Sequence, residues 1–213
     1  MSEVRAMVPI TIIDYGTSNL GSIQSMLRKI GVSSIIASRP EDVEGARKIM
    51  LPGVGAFDAG MGKLHASGII PALQRKVLEE KVPTLGVCLG MHLLTKGSEE
   101  GVLDGLGWIT ARTRRLGGQD EPDLRVPHMG WNVAEPKRQV PLLADFPSDA
   151  RFYFAHSYGV VCEQDEDVIL VAQYGKRAFA AGYQRGNIMG VQFHPEKSHR
   201  FGLWLLRNFV ECY

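Results

Sequence analysis

The sequence predicts an α/β fold: a mostly parallel central sheet flanked by helices, with antiparallel strands added in the C-terminal half. Three observations carry this. Between residues 9 and 88, short β-branched runs alternate with segments of helical spacing, the order that builds a parallel sheet with helices on both faces. Beyond about residue 105 the pattern becomes strand-like runs joined by short turns, which read as antiparallel additions. No linker-like shift in composition separates the halves, so residues 1–213 are read as a single domain.

In chain order, residues 9–14 (PITIID) read as a buried strand that ends in the turn-rich stretch Tyr15–Asn19. Leu20, Ile23, Leu27 and Ile30 follow helical spacing, and Gly31 is a helix stop. Ser34–Ala37 is a second strand, followed by a polar turn at Arg39–Asp42. Lys48–Leu51 is a third, running straight into Pro52-Gly53-Val54-Gly55. Helices are predicted over Asp58–Ser67 and Pro71–Lys81, with Pro71 suited to a first helical position. Val82–Val87 is the fourth strand. In the second half, Trp108–Leu116, Arg151–Val161, Val168–Tyr174, Phe179–Arg185 and Asn187–Phe193 read as strands, with a hairpin at Gly186-Asn187. Gly117–Asp123 is a polar loop, and His199–Cys212 a closing helix with Leu203, Leu206 and Val210 on one face.

Composition narrows the function classes. With 213 residues, 45% hydrophobic and 22% charged, the chain can bury a sizeable core and is not of disordered type. A net charge of +1 gives no electrostatic reason to expect nucleic acid or an anionic membrane. No apolar run reaches the length of a membrane span, and residues 1–7 carry no secretory pattern, so a cytoplasmic protein is expected. Cys88, Cys162 and Cys212 are too few and too widely spaced for a disulfide framework, and no Cys/His cluster suggests a metal.

The chemistry centres on Gly86-Val87-Cys88-Leu89-Gly90. A strand delivering a nucleophile onto a tight turn before a helix is the nucleophile-elbow pattern, here with Cys in place of Ser. Flanking glycines relieve crowding around a strained turn, and the start of the following helix favours thiolate. The backbone N–H of Leu89 then faces a developing oxyanion. A buried structural cysteine between close-packed glycines is the alternative reading of this stretch alone. A thiol nucleophile needs a base, and the base needs an orienting group. Among six histidines, His194 stands at the end of the apolar run Ile188–Phe193 and is followed by Pro195-Glu196, which supplies a carboxylate two residues on.

GVCLG at 86–90 together with QFHPE at 192–196 resembles the class I (triad) glutamine amidotransferases, over nearly the whole chain. That resemblance implies glutamine as substrate, with Cys88, His194 and Glu196 as the catalytic triad and no cofactor. It also favours the Gly53–Val54 segment, in PGVG, as the second source of an oxyanion donor beside Leu89, through a peptide able to reorient. Glu100 matches a family carboxylate suited to the α-amino group of glutamine. After GVCLGM the family usually has Gln, whose side chain helps hold the substrate; here it is His92. A site that tolerates His, a weakened glutaminase and a paralogue with shifted duties remain open at this position.

Asp14-Tyr15-Gly16 with Asn19-Leu20, PGVGAF at 52–57, PHMGWN at 127–132, FAHSY at 154–158 and HPEKS at 194–198 are similar to one branch of that family, the glutaminase subunits of imidazole glycerol phosphate synthases. The branch implies a separate (β/α)₈-barrel cyclase subunit as heterodimer partner, fed with ammonia for histidine biosynthesis. Asn19, Met129, Trp131, Tyr153 and Lys197 are the expected docking residues, by family position and because Trp and Tyr suit interface anchors. Amidotransferase subunits that serve a different synthetase, such as one acting on sugars, share these motifs, and a catalytically weak scaffold is a further alternative.

Overall fold

The computed structural model of the chain describes residues 8–117 and 121–213, so residues 118–120 of the expected polar loop lie outside the described residues. Strands β1 (Ile10–Ile13), β2 (Ser34–Ala37), β3 (Ile49–Gly53) and β4 (Thr84–Cys88) are laid side by side in parallel, in the order β2-β1-β3-β4. Helices α1 (Leu20–Lys29), α3 (Phe57–Ala66) and α4 (Ile70–Gln74) make the crossovers, with a short helical turn α2 (Pro40–Val43) between β2 and β3. The polar turn expected at Arg39–Asp42 is thus partly helical. The Asp42 carboxylate accepts the N–H groups of Ser38 and Arg39, and Pro40 stands in the first turn. The segment read as one helix over Pro71–Lys81 is α4 followed by a wider turn at Arg75–Glu79, closed by a Glu80 N–H to Arg75 carbonyl bond of 3.0 Å.

The second half completes this sheet rather than forming one of its own. Strand β12 (Ile188–Val191) lies parallel to β4, with Val191 opposite Val87. It follows β11 (Arg177–Arg185) through the expected hairpin at Gly186-Asn187, where Arg185 pairs Ile188 and Gly186 has φ +56°. Strand β10 (Val168–Tyr174) and the two-residue β7 (Glu135–Pro136) extend the sheet antiparallel. The run read as one strand over Arg151–Val161 is two. Strand β8 (Phe152–His156) pairs β6 (His128–Asn132) in a separate ribbon, whereas β9 (Tyr158–Cys162) pairs β11 and β5 (Ala111–Arg115) in the main sheet. The chain changes sheets at Ser157. Strands β6 and β7 were not expected from the sequence.

Alternation along the parallel strands divides the core. Ile10, Ile12, Met50, Leu85 and Val87 face one side, with Leu27 of α1 and Leu205 and Phe209 of α6 (His199–Cys212). Ile13, Ile49 and Leu51 face the other, with Leu64 of α3 and Leu73 of α4. On α6 the fully buried stripe is Phe201, Leu205, Leu206, Phe209 and Val210, while Leu203 is only half-buried. No helix among the described residues is long and apolar enough to cross a membrane.

Candidate active site

Cys88 ends β4, and the five-residue α5 (Leu89–Leu93) begins at once. To turn that sharply Cys88 adopts φ +52° and ψ −110°, a conformation that costs a non-glycine residue on the order of 1–3 kcal/mol. Packing of the glycines holds the strain in place. A Cβ on Gly90 would lie 1.7 Å from the Leu51 carbonyl oxygen, so α5 can press onto β3 only because that position is bare. The buried Tyr183 hydroxyl donates to the Met91 carbonyl at 2.7 Å and ties down the middle of α5. With so short a helix, stabilisation of a thiolate by the helix start is weaker than the sequence reading supposed, and side chains carry more of the task.

His194 is brought to Cys88 because β12 is the parallel neighbour of β4. Its backbone is fixed on two sides: its N–H donates to the Tyr153 carbonyl at 2.9 Å, and its carbonyl accepts from the Ser198 hydroxyl at 2.7 Å. The ring bonds Glu196 Oε1 through Nδ1 at 2.8 Å and lies within interaction reach of the Cys88 thiol. Burial alone would lower the imidazole pKa, but the Cys88 and Glu196 contacts outweigh it and raise the ring to about 10. Glu196 Oε2 is buried without a hydrogen-bond partner. The three residues therefore stand as a thiol, an imidazole and an orienting carboxylate in series.

Beside Cys88 and His194 opens a cleft of about 490 Å³, a volume in the range of small-molecule sites, whose walls include Val54, Leu89, His92, Glu100 and His156. Leu89 is the first residue of α5, so its N–H has no acceptor within the helix. The Val54 N–H, by contrast, donates to the Thr17 carbonyl at 2.8 Å. Glu100 lies in the wall with one oxygen already accepting the Phe57 N–H at 2.9 Å, which caps α3. His92 is 5% exposed, and its Nε2 points to Gln192 Oε1 at 2.7 Å. The Gln192 amide nitrogen lies 4.0 Å from Cys88 Sγ. Sequence reasoning quoted Gln192 but gave it no task. The available signal was its place two residues before His194, which puts both on one face of an extended segment.

The docking candidates fall into two places. On the β6–β8 ribbon Met129 and Trp131 point outward, 64% and 47% exposed, while His128 points inward to meet His156. Trp131 stands opposite Tyr153 with ring centroids 6.1 Å apart, and the Lys197 ammonium lies 5.5 Å over the Tyr153 ring. Met129 and Lys197 both border the cleft mouth. Asn19 is separate from this patch: it caps α1, accepting the Ser22 N–H at 3.4 Å, and borders a shallow hollow beside Glu196.

Residues 11–212 match the profile of the family described as glutamine amidotransferase class-I. The chain is 47% identical over 202 residues to the protein named imidazole glycerol phosphate synthase subunit HisH 2 of Methanococcus maripaludis, covering 95% of this chain and 98% of that one. It is 46% identical to the like-named protein of Pseudomonas aeruginosa over the same shares, and 42% identical to the HisH subunit of Bdellovibrio bacteriovorus over 95% and 99%. In fold it is similar to a chain of PurLQS from Thermotoga maritima, with a TM-score of 0.72 at 18% identity over 97% and 99% of the two chains. A glutamine amidotransferase of the same organism gives a TM-score of 0.64 at 20% identity, over 97% and 82%.

Proposed function

The chain belongs to the glutamine amidotransferase class-I family, and from that premise we propose that it is the glutaminase subunit of an imidazole glycerol phosphate synthase, acting in histidine biosynthesis. The observation that carries the reading is the ordered series Cys88, His194, Glu196, whose first two members line the cleft, on a chain with full-length HisH relatives at 42–47% identity.

In the proposed reaction the Cys88 thiolate attacks the side-chain carbonyl carbon of glutamine, and the C=O electron pair moves to oxygen. The Leu89 N–H donates to that oxyanion. A second donor requires the Gly53–Val54 peptide to rotate, because its N–H is bonded to Thr17 in this conformation. As the tetrahedral intermediate collapses, the C–N bond breaks and His194 gives its proton to the leaving nitrogen, releasing ammonia. His194 then takes a proton from water, which attacks the thioester carbonyl and yields glutamate and free Cys88. Glu196 holds Nδ1 of His194, so Nε2 faces the sulfur and the leaving group, and it stabilises the imidazolium.

Ammonia released into neutral water would be protonated and lose its nucleophilicity, which favours delivery through a closed interface. The partner in this reading is a (β/α)₈-barrel cyclase subunit in a cytoplasmic heterodimer. It covers the cleft mouth through Met129, Trp131, Tyr153 and Lys197, with Asn19 as a further contact. Glu100 takes the α-amino group of glutamine with its remaining oxygen.

Replacing Cys88 by Ala tests the reading. Glutamine-dependent synthesis by the complex is expected to vanish, while synthesis from added ammonium salt persists. Survival of glutamine-dependent turnover would refute the nucleophile. Equal turnover by the isolated chain with any or no partner would instead mark a stand-alone hydrolase.

A further inference from the structure

His92 is buried in the cleft wall, and Gln192 is fully buried behind Cys88. Gln192 Oε1 can only accept, so the 2.7 Å contact requires the proton on His92 Nε2. With Oε1 held by His92, the amide NH₂ of Gln192 is turned towards Cys88, with its nitrogen 4.0 Å from the sulfur. A sulfur anion is large and diffuse, and an N–H donor at that distance favours thiolate over thiol. Were the His92 Nε2 unprotonated, the Gln192 amide would reverse, donate to His92 and present its oxygen to Cys88, which opposes the anion. The tautomer of His92 therefore decides which end of Gln192 the nucleophile meets.

We propose that His92 is a positioning residue: through Gln192 it directs an amide N–H donor at Cys88 and so raises the thiolate fraction of the nucleophile. The inference rests on the reading of Cys88 as the nucleophile, and it gives the unusual residue after GVCLGM a task other than holding substrate. Burial pushes His92 down to about 4, which keeps the ring neutral and the Nε2–H fixed over the working pH range. The other titratable groups facing this cluster include His194 and Glu100, which share the cleft wall with Cys88 and His92, and His156 and Tyr15, which lie within electrostatic reach of His92 and Cys88 respectively.

The test reads ionisation of Cys88 directly, not turnover. The full chain is alkylated with iodoacetamide across pH, and modification of the Cys88 peptide is followed by mass spectrometry, which separates it from Cys162 and Cys212. The His92→Ala variant is expected to move the midpoint upward by about one unit, an about tenfold loss of thiolate on the acid side of the curve. His92→Gln, which can donate to Gln192 Oε1 in the same way, is expected to stay within about twofold of the wild type. Gln192→Ala should give the His92→Ala shift, and the double variant no more than either alone, because the two act as one unit. An unmoved midpoint in His92→Ala, additive shifts, or failure of His92→Gln to restore the midpoint overturns the proposal. If His92→Ala does not fold, the Gln192→Ala and His92→Gln midpoints decide it. The alkylation midpoint does not depend on glutamine hydrolysis, so a failed glutaminase assignment would show in Cys88→Ala turnover without affecting this result.

Discussion

The Val54 N–H donates to the Thr17 carbonyl at 2.8 Å, so the strand end that flanks the nucleophile holds its donor away from the cleft. In the proposed reaction that leaves the Leu89 N–H, at the start of α5, as the donor already free for an oxyanion. Removing one such donor costs about 10²–10³ in kcat. The isolated chain is therefore expected to release glutamate slowly from glutamine, and to accelerate by about that factor when a partner subunit releases the Val54 peptide. Glutamate release measured with and without a candidate cyclase subunit checks this. A fast isolated chain that the partner does not change would show that one donor suffices and would mark the chain as a stand-alone hydrolase.

The same strand shows what was legible in the sequence and what was not. PGVG at the end of the third strand announced a glycine-rich strand end beside the nucleophile, and β3 indeed carries it next to β4. Which way the Val54 N–H points depends on Thr17, thirty-odd residues away in the β1–α1 loop, and no local pattern encodes that. The strands made of β-branched residues were likewise readable, since their side chains favour a buried pleat. Strand β6 was not. Its sequence HMGWN alternates buried His128 against exposed Met129 and Trp131, the reverse of hydrophobic-in and polar-out. The inward His128 is satisfied by His156, whose position depends on the change of sheet at Ser157. That β12 inserts beside β4, which alone brings His194 to Cys88, is a matter of tertiary topology.

Gly90 is the position where the elbow should be least tolerant. An added methyl would sit 1.7 Å from the Leu51 carbonyl oxygen, and the contact is with backbone, which cannot swing aside. Gly90→Ala is expected to cost about 3 kcal/mol or more. Urea unfolding of the purified variant checks the magnitude. Wild-type stability would mean that β3 and α5 can separate at little cost.

The outward face of the β6–β8 ribbon should behave as a surface in the isolated chain and as an anchor in the complex. Trp131 is 47% exposed, and its ring meets those of Tyr153 and His199. Trp131→Ala is expected to change stability by no more than about 1 kcal/mol while weakening partner binding by about tenfold or more. Calorimetric titration against the cyclase subunit, alongside a thermal melt of the variant, measures both. Unchanged affinity would remove Trp131 from the interface.

The His194 site ties stability to pH in a direction that its partners determine. The ring titrates near its ordinary 6.5 when unfolded but is raised to about 10 in the fold, where burial opposes the charge and Cys88 and Glu196 outweigh that opposition. Below about pH 6.5 folded and unfolded chains both hold the proton, and the full stabilisation from these contacts is present. Between pH 6.5 and about 10 only the folded chain keeps it, so stability from this site drains away as pH rises. Wild-type Tm is therefore expected to fall more steeply from pH 7 to 9.5 than that of Glu196→Gln, in which the anionic partner is gone and the ring returns towards its unfolded value. Residual contact with Cys88 would leave part of the slope in the variant. Parallel slopes in the two proteins would mean that Glu196 orients His194 without holding its charge.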